Sequence, residues 1–411
     1  MALATHAQAK HRRWASVTVA IVFTAYMAVV FGLGLYLFSL LASEMRQTLG
    51  FATNTIGAVT AAAQIAFLIA AILCPRLTKY FGEGPVMISA VIVSGGVLSA
   101  VSAVGSATSM SIFVGSLGAC AAFMVIPTVG VITRTVDFRY RSRVNGLVSS
   151  GTAYGQLAAG SIAPWLVLNA GWRSVWLVLG IASVSVGVAG FVALKTLAPE
   201  TFSRKINADQ QKLQRDRSAV PLFTRTNCLV WGLFATCGIA CGPWQNYLSS
   251  FLSDESGFSI SLIGRLWSII GFVGLFSGFA VGMVADRFGI KRTLGSSFAL
   301  LSGSAILVAI HNDVALLYVA ALCFGSSYFA VYGLIPAYIS KTVADEQATS
   351  VFAGANICLG LGTALANLSS GYIPALSGSL QHVYICVAVV AGCATLLVTA
   401  LPSESSGISA P

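Results

Sequence analysis

The feature that most constrains this chain is a series of apolar runs, each long enough to cross a bilayer. From Ala15 to Leu41 there is no Asp, Glu, Lys or Arg. Eleven comparable runs follow. In the first half they are Thr55–Cys74, Pro85–Gly105, Met110–Thr133, Val144–Leu168 and Trp172–Leu194. In the second they are Asn227–Leu252, Leu262–Met283, Thr293–Ile310, Val314–Ile339, Thr349–Ile373 and Val383–Leu401. A helix needs about 20 apolar residues to traverse the hydrocarbon layer. Backbone polar groups in lipid must be satisfied within the segment, so runs of this length form helices. The reading is an all-α membrane protein with twelve transmembrane helices.

Charge orders the connectors. With the N-terminus inside, 20 of the 23 Lys and Arg residues fall on that side, and only Arg46, Arg173 and Arg265 lie opposite. Such a bias marks the cytoplasmic face. Both termini are therefore expected in the cytoplasm and the protein in the cell inner membrane. The bias also supports the number of spans, because one missed span would scramble the alternation. The same cations produce the net charge of +10. Dispersed over short loops, they read as topology signals and not as a nucleic-acid surface.

Charged residues make up only 9% of the chain, against about 25% in soluble domains. A soluble fold of this length has too little interior for the rest. The first run, 27 residues long, exceeds the apolar core of a signal peptide and suits a spanning helix. Nine cysteines occur without a CxxC spacing, and four histidines lie near run ends or in the tail. Neither set forms a metal or haem pattern. The expectation is a monomer that uses no cofactor or metal and meets only lipid, a small-molecule solute and, if transport is coupled, an ion.

The chain repeats itself. Shifted by 207 residues, Gly50-Phe51 falls on Gly257-Phe258, Ile56-Gly57 on Ile263-Gly264, and Phe81-Gly82 on Phe288-Gly289. These matches flank the second and eighth runs. They predict two pseudo-symmetric six-helix bundles, 1–195 and 227–411, joined by a polar cytoplasmic linker at 196–226. Paired halves of this kind are a transporter design.

Between runs eight and nine the chain reads Gly282-Met-Val-Ala-Asp286-Arg287-Phe-Gly289-Ile-Lys291-Arg292. This resembles the GxxxDRxGRR signature of the major facilitator superfamily. Run five carries Gly146, Gly151, Gly155, Gly160 and Pro164, then Gly171-Trp172-Arg173, which is similar to the same family. The resemblance implies that family's fold, with transport by alternating access. Gly282 is expected to permit close helix packing and Gly289 a tight turn. Arg287, Lys291 and Arg292 should anchor the segment inside. Asp286 should meet a helix amino end near 142–146 when the cytoplasmic side is shut. In the first half Pro75, Lys79 and Tyr80 replace the Gly, Asp and Arg of the motif, so the latch is expected on one side only.

No Asp or Glu lies within any run, and intramembrane carboxylates normally mark proton relays. Coupling is thus left to end residues such as Glu44, Asp254 or Glu255, or is absent. In the family the resemblance points to, spans one, four, seven and ten line the path. Here these carry aromatic and amide groups: Tyr26, Phe31 and Tyr36 on span one, Phe123 on span four, Trp244, Gln245, Asn246 and Tyr247 on span seven, Tyr328 and Tyr332 on span ten. Gln64, Tyr154, Gln156 and Asn356 are candidates from neighbouring spans. Amides are costly in lipid unless they face protein or water.

Aromatic walls with amides suit a flat, uncharged, hydrogen-bonding solute. The expectation is an importer of a vitamin-like metabolite, and the chain is somewhat similar to bacterial riboflavin transporters of the superfamily. Arg265 supports an alternative, since a guanidinium binds carboxylates, as monocarboxylate-type carriers of the superfamily do. A drug or metabolite efflux antiporter is the other alternative. An enzyme is not expected, as HExxH, GxxxxGK[ST] and GxSxG are absent.

Overall fold

A computed structural model of the 411-residue chain describes residues 2–137, 140–202, 223–310, 313–343 and 345–402. Most of the linker, 203–222, lies outside the described residues. The helices long and apolar enough to span a membrane number eleven among the described residues. The eleventh-versus-twelfth difference has one cause. Arg141–Leu197 is two helices that follow one another without a loop, and Gly171 between them is non-helical, at φ 76° and ψ 167°. A straight helix of that length would measure about 85 Å, nearly three hydrocarbon thicknesses. Gly171 breaks it into spans 5 and 6, which restores twelve.

The spans are span 1 (Trp14–Leu49), span 2 (Thr53–Phe81), span 3 (Glu83–Val101) and span 4 (Ala107–Thr135). Spans 5 and 6 share Arg141–Leu197. In the second half they are span 7 (Arg225–Glu255), span 8 (Ile260–Phe288), span 9 (Ile290–Ile310), span 10 (Val314–Thr342), span 11 (Asp345–Ser370) and span 12 (Gln381–Thr399). Several helices outrun the apolar segments. Span 2 continues through Pro75 and Lys79, and span 8 through Asp286 and Arg287. Charge ends an apolar run, but it does not end a helix.

The repeat is written into the backbone. Among the described residues six glycines have positive φ, and they form three pairs 207 apart: Gly50 and Gly257 at 68° and 70°, Gly82 and Gly289 both at 89°, Gly171 and Gly378 at 76° and 81°. Gly82 and Gly289 combine that φ with ψ of 157° and 148°, a region that only glycine enters cheaply. Span 2 and span 8 begin and end at equivalent residues, as do spans 4 and 10. Ser106 and Asp313, also 207 apart, cap spans 4 and 10 by accepting from Ser109 N–H and Ala315 N–H.

The chain forms two compact units, one of Met1–Phe51 and Ala62–Ile206, the other of Ala52–Ala61 and Asn207–Pro411. In the first, span 5 crosses span 1 at Gly32 and Gly155, where a methyl on either glycine would overlap the other's backbone. Small residues permit such approaches between membrane helices. In the second, span 7 lies on span 11, with Gly238 against the Leu359 carbonyl and Gly242 against Thr363. The start of span 2 belongs to this unit, with the Gly57 backbone against the Asn367 carbonyl.

Candidate functional site

In the second unit, span 7 loses helical regularity where its candidates cluster. Pro243 sits inside the helix and lacks an N–H. The regular segment ends at Asn246, Tyr247 follows at φ −103° and ψ −3°, and a π-turn runs from Phe251 to Glu255. Two tyrosines brace the irregular stretch. Tyr384 donates its hydroxyl to the Trp244 carbonyl at 3.2 Å, and Tyr247 donates to the Asn367 carbonyl at 2.7 Å.

Trp244 is buried and lies flat on Phe324, with centroids 3.7 Å apart and planes within 5°. On span 10 the rings continue at helical spacing. Phe324 stacks with Tyr328 at 5.5 Å, Tyr328 meets Tyr332 at 4.8 Å, and Tyr332 meets Phe234 of span 7 at 5.7 Å. The result is a ladder of five rings between two helices. Beside it, Cys237 and Cys241 bring their sulfurs to 3.8 Å. Trp244 Nε1 and Gln245 Nε2 are buried without a hydrogen-bond partner among the described residues. Asn246 is also buried.

Other expected residues lie elsewhere. Asn356 is half-buried and donates to the Phe352 carbonyl of its own helix at 2.8 Å. Arg265 is exposed. Asn367, which sequence reasoning passed over, is 1% exposed, and neither its Oδ1 nor its Nδ2 has a partner among the described residues. It stands three helical turns beyond Asn356 on span 11, so the two share a face, and that spacing is the signal that could have found it. Phe234 and Phe324 were missed as well. Phe324 precedes Tyr328 by four residues, the step that separates Tyr328 from Tyr332.

The first unit presents a different picture. Tyr26 is fully buried and donates to the Gly187 carbonyl at 3.1 Å, tying span 1 to span 6. Phe31 meets Phe67 edge-on at 6.1 Å. Tyr36 and Gln64 are half-buried, and Phe123 packs against the apolar core. Tyr154 is 45% exposed. Its near neighbour Gln156 is fully buried, with both amide atoms unpartnered among the described residues.

At the ends of the spans, Glu83 pairs with Arg134 across spans 3 and 4. Arg173 donates to the Val104 carbonyl at 2.9 Å and lies over the Trp172 ring. Glu255 accepts from the Ser379 hydroxyl at 2.6 Å and the Leu380 N–H at 2.7 Å. It caps span 12. In the Asp286 segment, Gly289 makes the turn and Lys291 donates to the Thr399 and Leu401 carbonyls. Asp286, Arg287 and Arg292 are exposed. The close packing expected at Gly282 is not found: no described atom lies within 4 Å of a Cβ placed there.

The sequence model of the Major Facilitator Superfamily matches residues 22–367 and 247–409. A Haemophilus influenzae protein named for metabolite transport is 28% identical over 267 residues, covering 60% of each chain. The cis,cis-muconate transport protein of Acinetobacter baylyi is 23% identical over 284 residues, covering 65% of each. Both matches thus span less than two thirds of the relatives' lengths. The crystal structure of a D-xylose-proton symporter superposes with a TM-score of 0.75 at 14% identity, over 96% of this chain and 99% of that one. At that identity the likeness concerns the fold.

Proposed function

The chain belongs to the major facilitator superfamily, and from that premise we propose that it imports a small, planar, uncharged organic metabolite by alternating access. The observation that carries this reading is the ring ladder Trp244–Phe324–Tyr328–Tyr332–Phe234 with unpartnered buried nitrogens beside it. Buried polar groups are normally hydrogen-bonded. Flat aromatic walls with a few convergent donors and acceptors suit a ring with polar edges, and a riboflavin-like vitamin has that form. The bundles 1–195 and 227–411 are the moving bodies, joined on the cytoplasmic side of the inner membrane. The excess of Lys and Arg in the inner connectors supports that orientation.

A carboxylate is the second reading. Arg265 is an exposed guanidinium near the start of span 8, and one relative is named for muconate, a carboxylate. Thermal shift of the purified protein separates the two. Flavins and other uncharged heterocycles should raise the unfolding midpoint, and Arg265→Ala should leave that response intact. Stabilisation by carboxylates alone, lost in Arg265→Ala, would establish the second reading in place of the first.

A further inference from the structure

Asn367 is the most deeply buried of the unpartnered amides in the second unit, and its surroundings are built. Tyr247 holds its carbonyl from span 7 at 2.7 Å. Gly371, one turn on, lies against the same Tyr247 hydroxyl at 2.9 Å from its Cβ position. The backbone is thereby fixed while the side chain is left without a partner among the described residues. Opposite stands Gly242, where a Cβ would come within 3.0 Å of Asn367 Oδ1 and 3.5 Å of Nδ2. The missing Cβ lets the span 7 backbone lie against the amide without overlap. Gly238, Gly242 and Gln245 follow at i, i+4 and i+7, so Gln245 shares the face of span 7 that meets span 11. Its Nε2 is also unpartnered, and the neighbouring Trp244 carries the unpartnered Nε1 at the end of the ring ladder.

We propose that Asn367, with Gln245 and Trp244, is the specificity-determining subsite of the second unit and reads the lactam or imide edge of a planar heterocycle. The inference rests on the planar-solute reading above and names the chemistry of that solute. A carboxamide presents one acceptor and an N–H donor side by side in a plane. Its complement is a ring edge on which C=O and N–H are adjacent. A carboxylate offers acceptors only and leaves Oδ1 of Asn367 unsatisfied. A solute without the N–H does the same, and a site built to hydrogen-bond such a group rejects the analogue that lacks it.

Binding by the purified full-length protein tests this with matched pairs: lumiflavin against 3-methyllumiflavin, and 1-methylthymine against 1,3-dimethylthymine. In each pair methylation removes the ring N–H and changes little else. The N–H member should bind wild type about tenfold or more tightly than its methylated partner, as loss of a buried hydrogen bond predicts. In Asn367→Leu, a replacement of similar shape, the preference should collapse to within about threefold. The unliganded midpoint of that variant should hold or rise, because an unpartnered buried amide has been replaced by an apolar group. No preference in wild type, or an unchanged preference in Asn367→Leu, would overturn the subsite while leaving the planar-solute reading standing. A fall in the unliganded midpoint with unchanged binding would identify Asn367 as a helix-packing amide and overturn it equally. Binding of carboxylates only, with no planar uncharged ring bound, would defeat the underlying reading and the subsite with it.

Discussion

Trp172 donates its indole N–H to the Thr48 hydroxyl at 3.0 Å, and this bond has a counterpart in the second repeat. At the positions 207 residues on, Ser379 donates its hydroxyl to Glu255 at 2.6 Å. Each bond joins the end of the first span of its bundle to the turn just after a left-handed glycine, Gly171 or Gly378. The chemistry has diverged while the strap has kept its place. Glu255 does more than Thr48, since its second oxygen takes the Leu380 N–H at the start of span 12.

A capping role for Glu255 predicts a loss of stability from its removal. Glu255→Ala should cost about 1 kcal/mol, the usual value of an N-cap, read as a lower unfolding midpoint in detergent. Glu255→Gln keeps an acceptor and should cost less. If transport is proton-coupled, its dependence on the proton gradient should survive in Glu255→Gln. Loss of that dependence at full stability would make Glu255 a coupling residue.

The crossing of spans 1 and 5 predicts a steric penalty. A Cβ at Gly155 would overlap the backbone at Ala28 and Gly32. Overpacking of this kind costs about 1–3 kcal/mol, so Gly155→Ala should lower the midpoint. Gly146→Ala, where no neighbour lies within 4 Å, should not.

The ion pair between Glu83 and Arg134 is partly exposed, at 22% and 27% for the Arg and Glu side chains. Breaking it leaves one charge at the edge of the apolar layer. Either single substitution, Glu83→Gln or Arg134→Gln, should destabilise by about 1–2 kcal/mol after allowance for screening. The double variant should recover part of that loss. A double-mutant cycle by thermal or chemical unfolding measures the coupling, and additive effects would show the pair to be inert.

Asp286 tests whether the segment after span 8 acts as a latch. It is exposed in the last turn of span 8, and the next segment is tied down by Lys291. Asp286→Asn should slow transport several-fold while leaving solute affinity unchanged. A rate equal to wild type would reduce the motif to a topology signal.

Trp244 separates ring from nitrogen. Trp244→Phe keeps an aromatic face toward Phe324 and removes the unpartnered N–H. Loss of one hydrogen bond, about 1 kcal/mol, should weaken solute binding about fivefold. Trp244→Ala removes both functions and should abolish binding.

The fold was legible in the sequence because lipid leaves few choices. Long apolar runs must become helices, and Lys and Arg sort the connectors between them. The offset of 207 was readable from Gly50, Gly82 and their partners, and Gly171 with Gly378 extends it. Helix ends were less legible, because residues such as Lys79 and Arg287 lie past the apolar run and still within the helix. The site was legible in part. Tyr328 and Tyr332 show their shared face by spacing alone. Asn367 shares a helical face with Asn356, but its isolation depends on Gly242 and Tyr247, both more than 100 residues away in sequence. The capping of span 12 by Glu255 was hidden for the same reason.

Solute counterflow in proteoliposomes tests the central claim most directly. Vesicles loaded with unlabelled riboflavin and given a trace of labelled riboflavin outside should show a transient overshoot of label. The overshoot should vanish in Trp244→Ala and persist in Arg265→Ala, and muconate should give none. An overshoot with muconate and none with riboflavin, abolished by Arg265→Ala, would contradict the account.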